Sequence, residues 1–445
     1  MSFAAAERFY ERLADRTRRY GERPLDPGRR IALRANSTML RTKAGQAAML
    51  VLGELMSRMV RRIVLDFDDI SFVPQLGGPL TGSLQHYILD RMQAAAPFGT
   101  FEAGPAEGGD YIISIGDTGG AWLIDGSDWN AYVGPAPSPL PPPTTDNIFG
   151  ICLAVVTAVA RVFAVPFPDM VAAARANLFA YAPESGESAT FVAAGTHLGR
   201  LWFAGAGSVG SAAAYFLALA GYRFDARLFD MDIVKTENLD RSPIFLYADR
   251  GKAKVRSVAR YLRQFGLSAI GHPHALDEAS AWRNRHAGTP DLLIAAANER
   301  DVRFEIETQL PPIQIYGTTG KDWQANLFHH VPPAPCSCCA FPGHRSITDC
   351  AKGQAPAAEP SLPQVDAALP FLSFAAGLMA AAEISKVPLP GFPFVGNRGF
   401  FTPLGEEILF ARPMSHRSDC HCSTRSRSAH RKMIANSRYA SLSGL

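Results

Sequence analysis

The chain has 445 residues, of which 47% are apolar and 19% charged. That length leaves room for about two or three lobes, and this composition argues against global disorder. The net charge of +3 is uneven: residues 416–445 hold six Lys/Arg against one acid, leaving 38 bases and 40 acids elsewhere. A body so balanced is not a nucleic-acid-binding surface by charge, and the Ser- and Arg-rich tail reads as a frayed terminus.

Met1 to Arg30 is charged and has no apolar core segment, so no secretory signal is expected and a cytoplasmic setting is. Residues 45–68, "GQAAMLVLGELMSRMVRRIVLDFD", give a glycine, an amphipathic helix and an apolar strand ending in Asp-x-Asp. The proline-rich run Gly134 to Asp146 cannot continue a helix or a central strand and reads as a linker. The apolar stretches Ile151 to Phe167 and Phe371 to Ile384 are short for membrane spans and are interrupted by Arg161 and Glu383. Both are expected as buried helices, with no membrane role. A change in composition near residue 190 sets a domain boundary there.

Residues 210–232, "GSAAAYFLALAGYRFDARLFDMD", echo residues 45–68. Glycine and first aspartate are 21 residues apart in the first copy (Gly45 to Asp66) and 20 in the second (Gly210 to Asp230). Only the second has a glycine triplet; the first reads "LRTKAG" at that place. A duplication would make the first half a degenerate nucleotide domain packed against an active one.

Gly205, Gly207 and Gly210 form G-x-G-x-x-G between an apolar strand, Leu201 to Ala204, and an apolar helix. Glycines permit the tight turn and let phosphate oxygens reach backbone amides at a helix N-terminus. Asp230 follows at the end of the next strand, where a carboxylate accepts from ribose hydroxyls. The loop does not separate NAD from ATP, but Asn238, Arg241 and Lys254 do. Attack on an α-phosphate builds charge and expels pyrophosphate, which needs cationic donors. Arg241 offers a planar fork and Lys254 a point charge.

The run "GAGSVGS…LFDMDIVKTENLDRS…GKAKV" resembles the ThiF/MoeB/ubiquitin-activating adenylation family, strongly over 198–260 and more loosely to 422. The resemblance implies an α/β, Rossmann-like fold, here a pseudo-dimer of a degenerate and an active half with a zinc-anchored C-terminal region. It implies domains at 1–190, 191–345 and 346–445. Gly205, Gly207 and Gly210 would line ATP, Asp230 would hold the ribose, and Asp232 would lie near the phosphates and Mg2+. Asn238, Arg241 and Lys254 would contact phosphate. The family's Thr-Asp-Asn is departed from: Ala297 precedes Asn298, so one carboxylate is missing. Asp232, Glu299 or Asp301 is left to serve the ion, or else the site is slow or not catalytic.

Seven cysteines, six of them after residue 335, point to metal or catalysis before disulfides. Cys336 and Cys339 give C-x-x-C, and Cys420 and Cys422 give C-x-C; together they supply four thiolates to Zn2+. The short second pair leaves Cys338 or His421 as an alternative ligand. Cys350 stands in the polar loop "SITDCAKGQAP", where the family's crossing loop can carry the cysteine that accepts the acyl group; Lys352 would favour its thiolate, and a fifth metal-site neighbour or a bystander thiol is the alternative. Cys152 reads as core.

Active members of the family work as dimers or pseudo-dimers, with one Arg donated by the partner half, and the Arg-rich start of this chain could hold such a residue. The expected reaction is adenylation of the C-terminal glycine of a ubiquitin-like protein, then a thioester on Cys350 and transfer to a conjugating enzyme; activation of a sulfur-carrier protein, with a different acceptor, is the nearest alternative. The alanine-, arginine- and proline-rich composition suggests a bacterial pathway. Peptide adenylation and a nucleotide-binding scaffold are the alternatives, and an NAD-dependent oxidoreductase the weakest.

Overall fold

In a computed structural model of the chain, the described residues are 3–13, 29–116, 119–135, 137–164, 173–183, 191–276, 289–297, 300–320, 323–331, 334–340, 369–390, 396–418, 420, 422 and 425–444. The strands are β1 (Arg30–Ala35), β2 (Arg62–Asp66), β3 (Thr100–Ala103), β4 (Tyr111–Ile115), β5 (Trp122–Ser127), β6 (Asn130–Gly134) and β7 (Ala174–Asn177) in the first half. The second half has β8 (His197–Ala204), β9 (Arg223–Phe229), β10 (Ser268–His272), β11 (Leu292–Ala295), β12 (Gln314–Thr319), β13 (Ala325–His330), β14 (Arg398–Phe401) and β15 (Leu409–Arg412). The helices are α1 (Phe3–Leu13), α2 (Ser37–Leu40), α3 (Lys43–Ser57), α4 (Leu84–Ala95), α5 (Phe149–Ala164), α6 (Ser208–Leu219), α7 (Lys254–Gln264), α8 (Arg300–Gln309), α9 (Ser337–Ala340), α10 (Pro370–Lys386) and α11 (Arg425–Ala435).

The two sheets repeat one plan. The first runs β3-β2-β1-β4-β5-β6-β7 and the second β10-β9-β8-β11-β12-β13-β14-β15. In each, the first five strands pair in parallel and the rest antiparallel. Central strands such as Ile31 to Leu33 are apolar without alternation because helices cover both faces. The echo between residues 45–68 and 210–232 is therefore a repeat of fold as well as of sequence.

Four apolar helices join the halves. α3 packs on α5, α5 on α10, and α10 on α6, within one hydrophobic core that runs continuously across residue 190. The packing is tight: at Gly377 of α10 an added Cβ would sit 2.4 Å from the Ala212 side chain of α6. Buried cations stitch the same seam. Lys386 donates to the carbonyls of Leu178 and Phe179 at 3.0 Å, and Lys43 donates to the Ala220 carbonyl at 2.8 Å. Each charge is buried but bonded, as burial demands.

The two long apolar stretches are the buried helices expected of them, and no described helix is long and apolar enough to cross a membrane. The tail corrects its reading as a frayed terminus. α11 buries His430 and Ile434, and a turn at Ala440–Gly444 buries Leu442. Tyr439 donates its hydroxyl to the Leu198 carbonyl at 2.6 Å. Apolar residues at helical spacing, few as they are, dock a segment whose overall composition is polar.

Candidate functional site

The glycine loop joins β8 to α6. Gly205 has φ +99°, and a Cβ there would lie 2.8 Å from the backbone of Ala296 and Ala297 at the end of β11. A Cβ at Gly210 would lie 2.0 Å from the Gly205 carbonyl oxygen. Both positions thus require glycine for the turn to close. Gly207 differs: nothing lies within 4 Å of its Cβ position. It is the N-cap of α6 and makes no side-chain cap, so the first amides of that helix have no side-chain acceptor there.

Asp230 follows β9 and is tied to the loop. One carboxylate oxygen accepts from the Ala206 amide at 2.8 Å and the other from the Asp232 amide at 2.9 Å. Burial pushes this carboxyl up, against the pull of Lys254 and the two amides. A carboxylate offers about four lone-pair sites, so two remain for hydroxyl donors. Asp232 is mostly exposed and pairs with the buried Lys254 ammonium at 2.6 Å.

Asn238 accepts from the Lys235 amide at 2.8 Å, closing its own turn. Arg241 is buried, with one guanidinium nitrogen on Asp240 at 2.8 Å. Its neighbour Ser242 meets Ser211 of α6 hydroxyl to hydroxyl at 2.7 Å. The structure therefore brings Gly205, Gly207, Gly210, Asp230, Asp232, Lys254 and the Asn238–Ser242 segment to one end of β8, β9 and α6. Asn298, Glu299, Lys352, His421 and Cys350 lie outside the described residues. The Ser211–Ser242 tie and the Asp240 anchor were not read from the sequence, although Asp240 and Ser242 flank Arg241 directly.

Ala297 stands against Gly205, so its side chain brings no carboxylate to the site. Mg2+ is commonly held by one or two carboxylates with substrate phosphates and water, and the exposed Asp232 meets that minimum.

Around α9 the sulfurs of Cys336, Cys339, Cys420 and Cys422 all lie within 4.8 Å of one another, and all four residues are buried. Cys336 and Cys420 approach to 3.3 Å, and Cys339 and Cys422 to 3.5 Å. The Arg417 amide points at the Cys339 sulfur at 3.5 Å, the kind of donor that steadies a thiolate ligand. This donor set fits a tetrahedral thiolate site compatible with Zn2+. Behind the cluster Glu307 accepts from the Ser337 amide at 2.7 Å, the Tyr316 hydroxyl at 2.8 Å and His330 at 2.7 Å. Burial would raise the Glu307 carboxyl, but His330 and these donors hold it at about 2.

The ThiF family's sequence profile matches residues 199–422, half of the chain. The chain belongs to the ThiF family. It is 28% identical over 225 residues to the mouse adenylyltransferase and sulfurtransferase MOCS3, covering 48% of this chain and 45% of that protein. The chain thus spans less than half the length of that curated relative. Among solved structures it is similar to E. coli MccB with ATP, at 18% identity and a TM-score of 0.36 over 50% of this chain and 66% of that one. MccB with AMPCPP and MccA gives 18% identity and a TM-score of 0.38 over 51% and 66%.

Proposed function

We propose that the second half activates a carboxylate as its acyl-adenylate, and that the carboxylate is the C-terminal glycine of a small ubiquitin-like or sulfur-carrier protein. The observation that carries this reading is the convergence of the closed glycine loop, Asp230, the Lys254–Asp232 pair and the Arg241–Ser242 segment at the N-terminus of α6. A carboxylate oxygen attacks the α-phosphorus of ATP, the bond to the bridging oxygen breaks, and pyrophosphate leaves with that electron pair. Arg241 and Lys254 hold the charge that builds on the phosphate oxygens, and Asp230 holds the ribose. Asn238 and Asn298 complete the nucleotide contacts. Asp232 would hold Mg2+, which would supply charge neutralisation at the phosphates.

The Cys350 thiolate then attacks the acyl carbon and expels AMP, leaving a thioester that passes to a conjugating enzyme. Cys336, Cys339, Cys420 and Cys422 would hold Zn2+, which would have a structural part in pinning the C-terminal segment to the body. The name of the mouse relative, adenylyltransferase and sulfurtransferase, supports adenylation as the first step. Ala297 favours a second reading, a scaffold that binds nucleotide without turnover.

ATP–pyrophosphate exchange in the presence of candidate carrier proteins separates these. Exchange that needs the partner's terminal glycine supports the adenylation reading. ATP binding without exchange for every partner supports the scaffold. Exchange that survives Cys350→Ser while a hydroxylamine-labile protein adduct disappears would place the acyl group on that thiol.

A further inference from the structure

We infer that the first half is the positioning wall for the phosphate-binding segment of the second half, acting through Arg58 and Arg91. The inference rests on the adenylation reading and gives the first half a part in it. The segment between Asp232 and Lys254 carries Asn238 and Arg241, yet much of its support comes from outside its own half.

Three observations converge on it. First, Arg58, the C-cap of α3, reaches across to main-chain carbonyls: one nitrogen donates to Leu239 at 2.5 Å and Phe245 at 3.3 Å. Arg91 on α4 donates to the Pro243 carbonyl at 2.7 Å. Second, Glu54 holds both guanidinium groups from between, at 2.6 Å to Arg58 and 2.7 Å to Arg91. Third, Tyr247 packs against Phe9 and Phe98 of the first half, with ring centroids 5.6 and 5.9 Å away, and α1 lies against the turn Thr236–Asn238.

The contacts are ordered along the segment. Leu239 is gripped immediately before Asp240, which is buried and holds Arg241. Pro243 is gripped immediately after Ser242, which bonds α6. Arg241 is thus bracketed by main-chain anchors on both sides. Charged donors on carbonyls in a buried seam are strong and directional, and Arg58 and Glu54 are almost fully buried there. Arg58 and Arg91 touch no nucleotide in this scheme; they fix the backbone from which Arg241 reaches the phosphates. Such indirect placement matters because a misplaced donor loses most of its value in charge stabilisation.

The test compares ATP with adenosine as titrants of the full chain, in wild type, in Arg91→Met, Arg58→Lys and Arg241→Ala variants, and in the double variants that combine each of the first two with Arg241→Ala. Positioning predicts that Arg91→Met and Arg58→Lys each weaken ATP binding about tenfold, the scale of one charged hydrogen bond, and leave adenosine unchanged. Neither should deepen the loss already caused by Arg241→Ala, because both act through that residue. Should Arg58→Lys not fold, Arg91→Met carries the test alone: its side chain is 15% exposed and the Arg58–Glu54 pair stays in place. Equal losses for ATP and adenosine, or losses that add to that of Arg241→Ala, would overturn the inference and leave adenylation standing. A wild-type chain that binds neither titrant overturns the adenylation reading, and the positioning role falls with it.

Discussion

The two halves share one topology and differ at one end of it. In the second half the turn after β8 is built from glycine and lies open above Gly207. In the first half the turn after β1 is the short helix α2, and Met39 closes it. A Cβ at Gly45 would meet the Met39 carbonyl oxygen at 2.0 Å, and one at Gly116 would meet the Met39 side chain at 2.2 Å. Asp66, the counterpart of Asp230, accepts from no loop amide among the described bonds and pairs with Arg34 at 2.6 Å. The halves share the sheet order and the buried helices, which are held by burial. They do not share the turn chemistry.

The largest effect that sharpens this comparison is at Arg241. Arg241→Ala should lower pyrophosphate exchange by about a hundredfold or more, the usual cost of one charge-stabilising donor. Arg34→Ala, in the first half, should leave exchange unchanged. Equal losses in the two variants would mean that the first half takes part in chemistry directly.

Metal removal comes next, since the first half has only Cys152 and no cysteine pair. A strong chelator, or Cys336→Ser, should release the segment from 414 onwards and expose α11 to proteolysis, with β1–β7 still protected. Protection of α11 that survives full removal of the metal would show that the tail docks without it.

Ala297→Asp should tighten Mg2+ in the presence of ATP by several-fold, because a second carboxylate joins Asp232 beside Gly205. Asp66→Asn, at the matching end of β2 in the first half, should do nothing for Mg2+. A metal titration of exchange activity reads both.

The smallest effect is one of pH. Burial, and then the charge of His330, lower His430 to about 4 from an ordinary 6.5. The undocked helix therefore takes up the proton first. Docking of α11 is at full strength above about 6.5 and weakens as pH falls from there towards 4. The protection factors of α11, corrected for the pH dependence of intrinsic exchange, should fall over that window and no further below it, while those of α3 stay flat.

The site was legible where chemistry forces residue types into a contiguous order: Gly205 to Gly210, Asp230, Asp232 and Lys254 announce themselves within fifty-odd positions. The cysteine pairs are legible for the same reason, although 84 residues separate Cys336 from Cys420. The grip of Arg58 on Leu239 was not, because it joins a side chain to a main-chain carbonyl 181 residues away. A carbonyl leaves no mark in the sequence. Likewise the docking of the tail turns on His430, Ile434, Tyr439 and Leu442 in a segment whose composition is otherwise polar.

The most direct test of the asymmetry is a calorimetric titration of the whole chain with a non-hydrolysable ATP analogue and Mg2+. The account predicts one site per chain, abolished by Asp230→Ala and untouched by Asp66→Ala. Two sites per chain, or a site lost with Asp66, would contradict it.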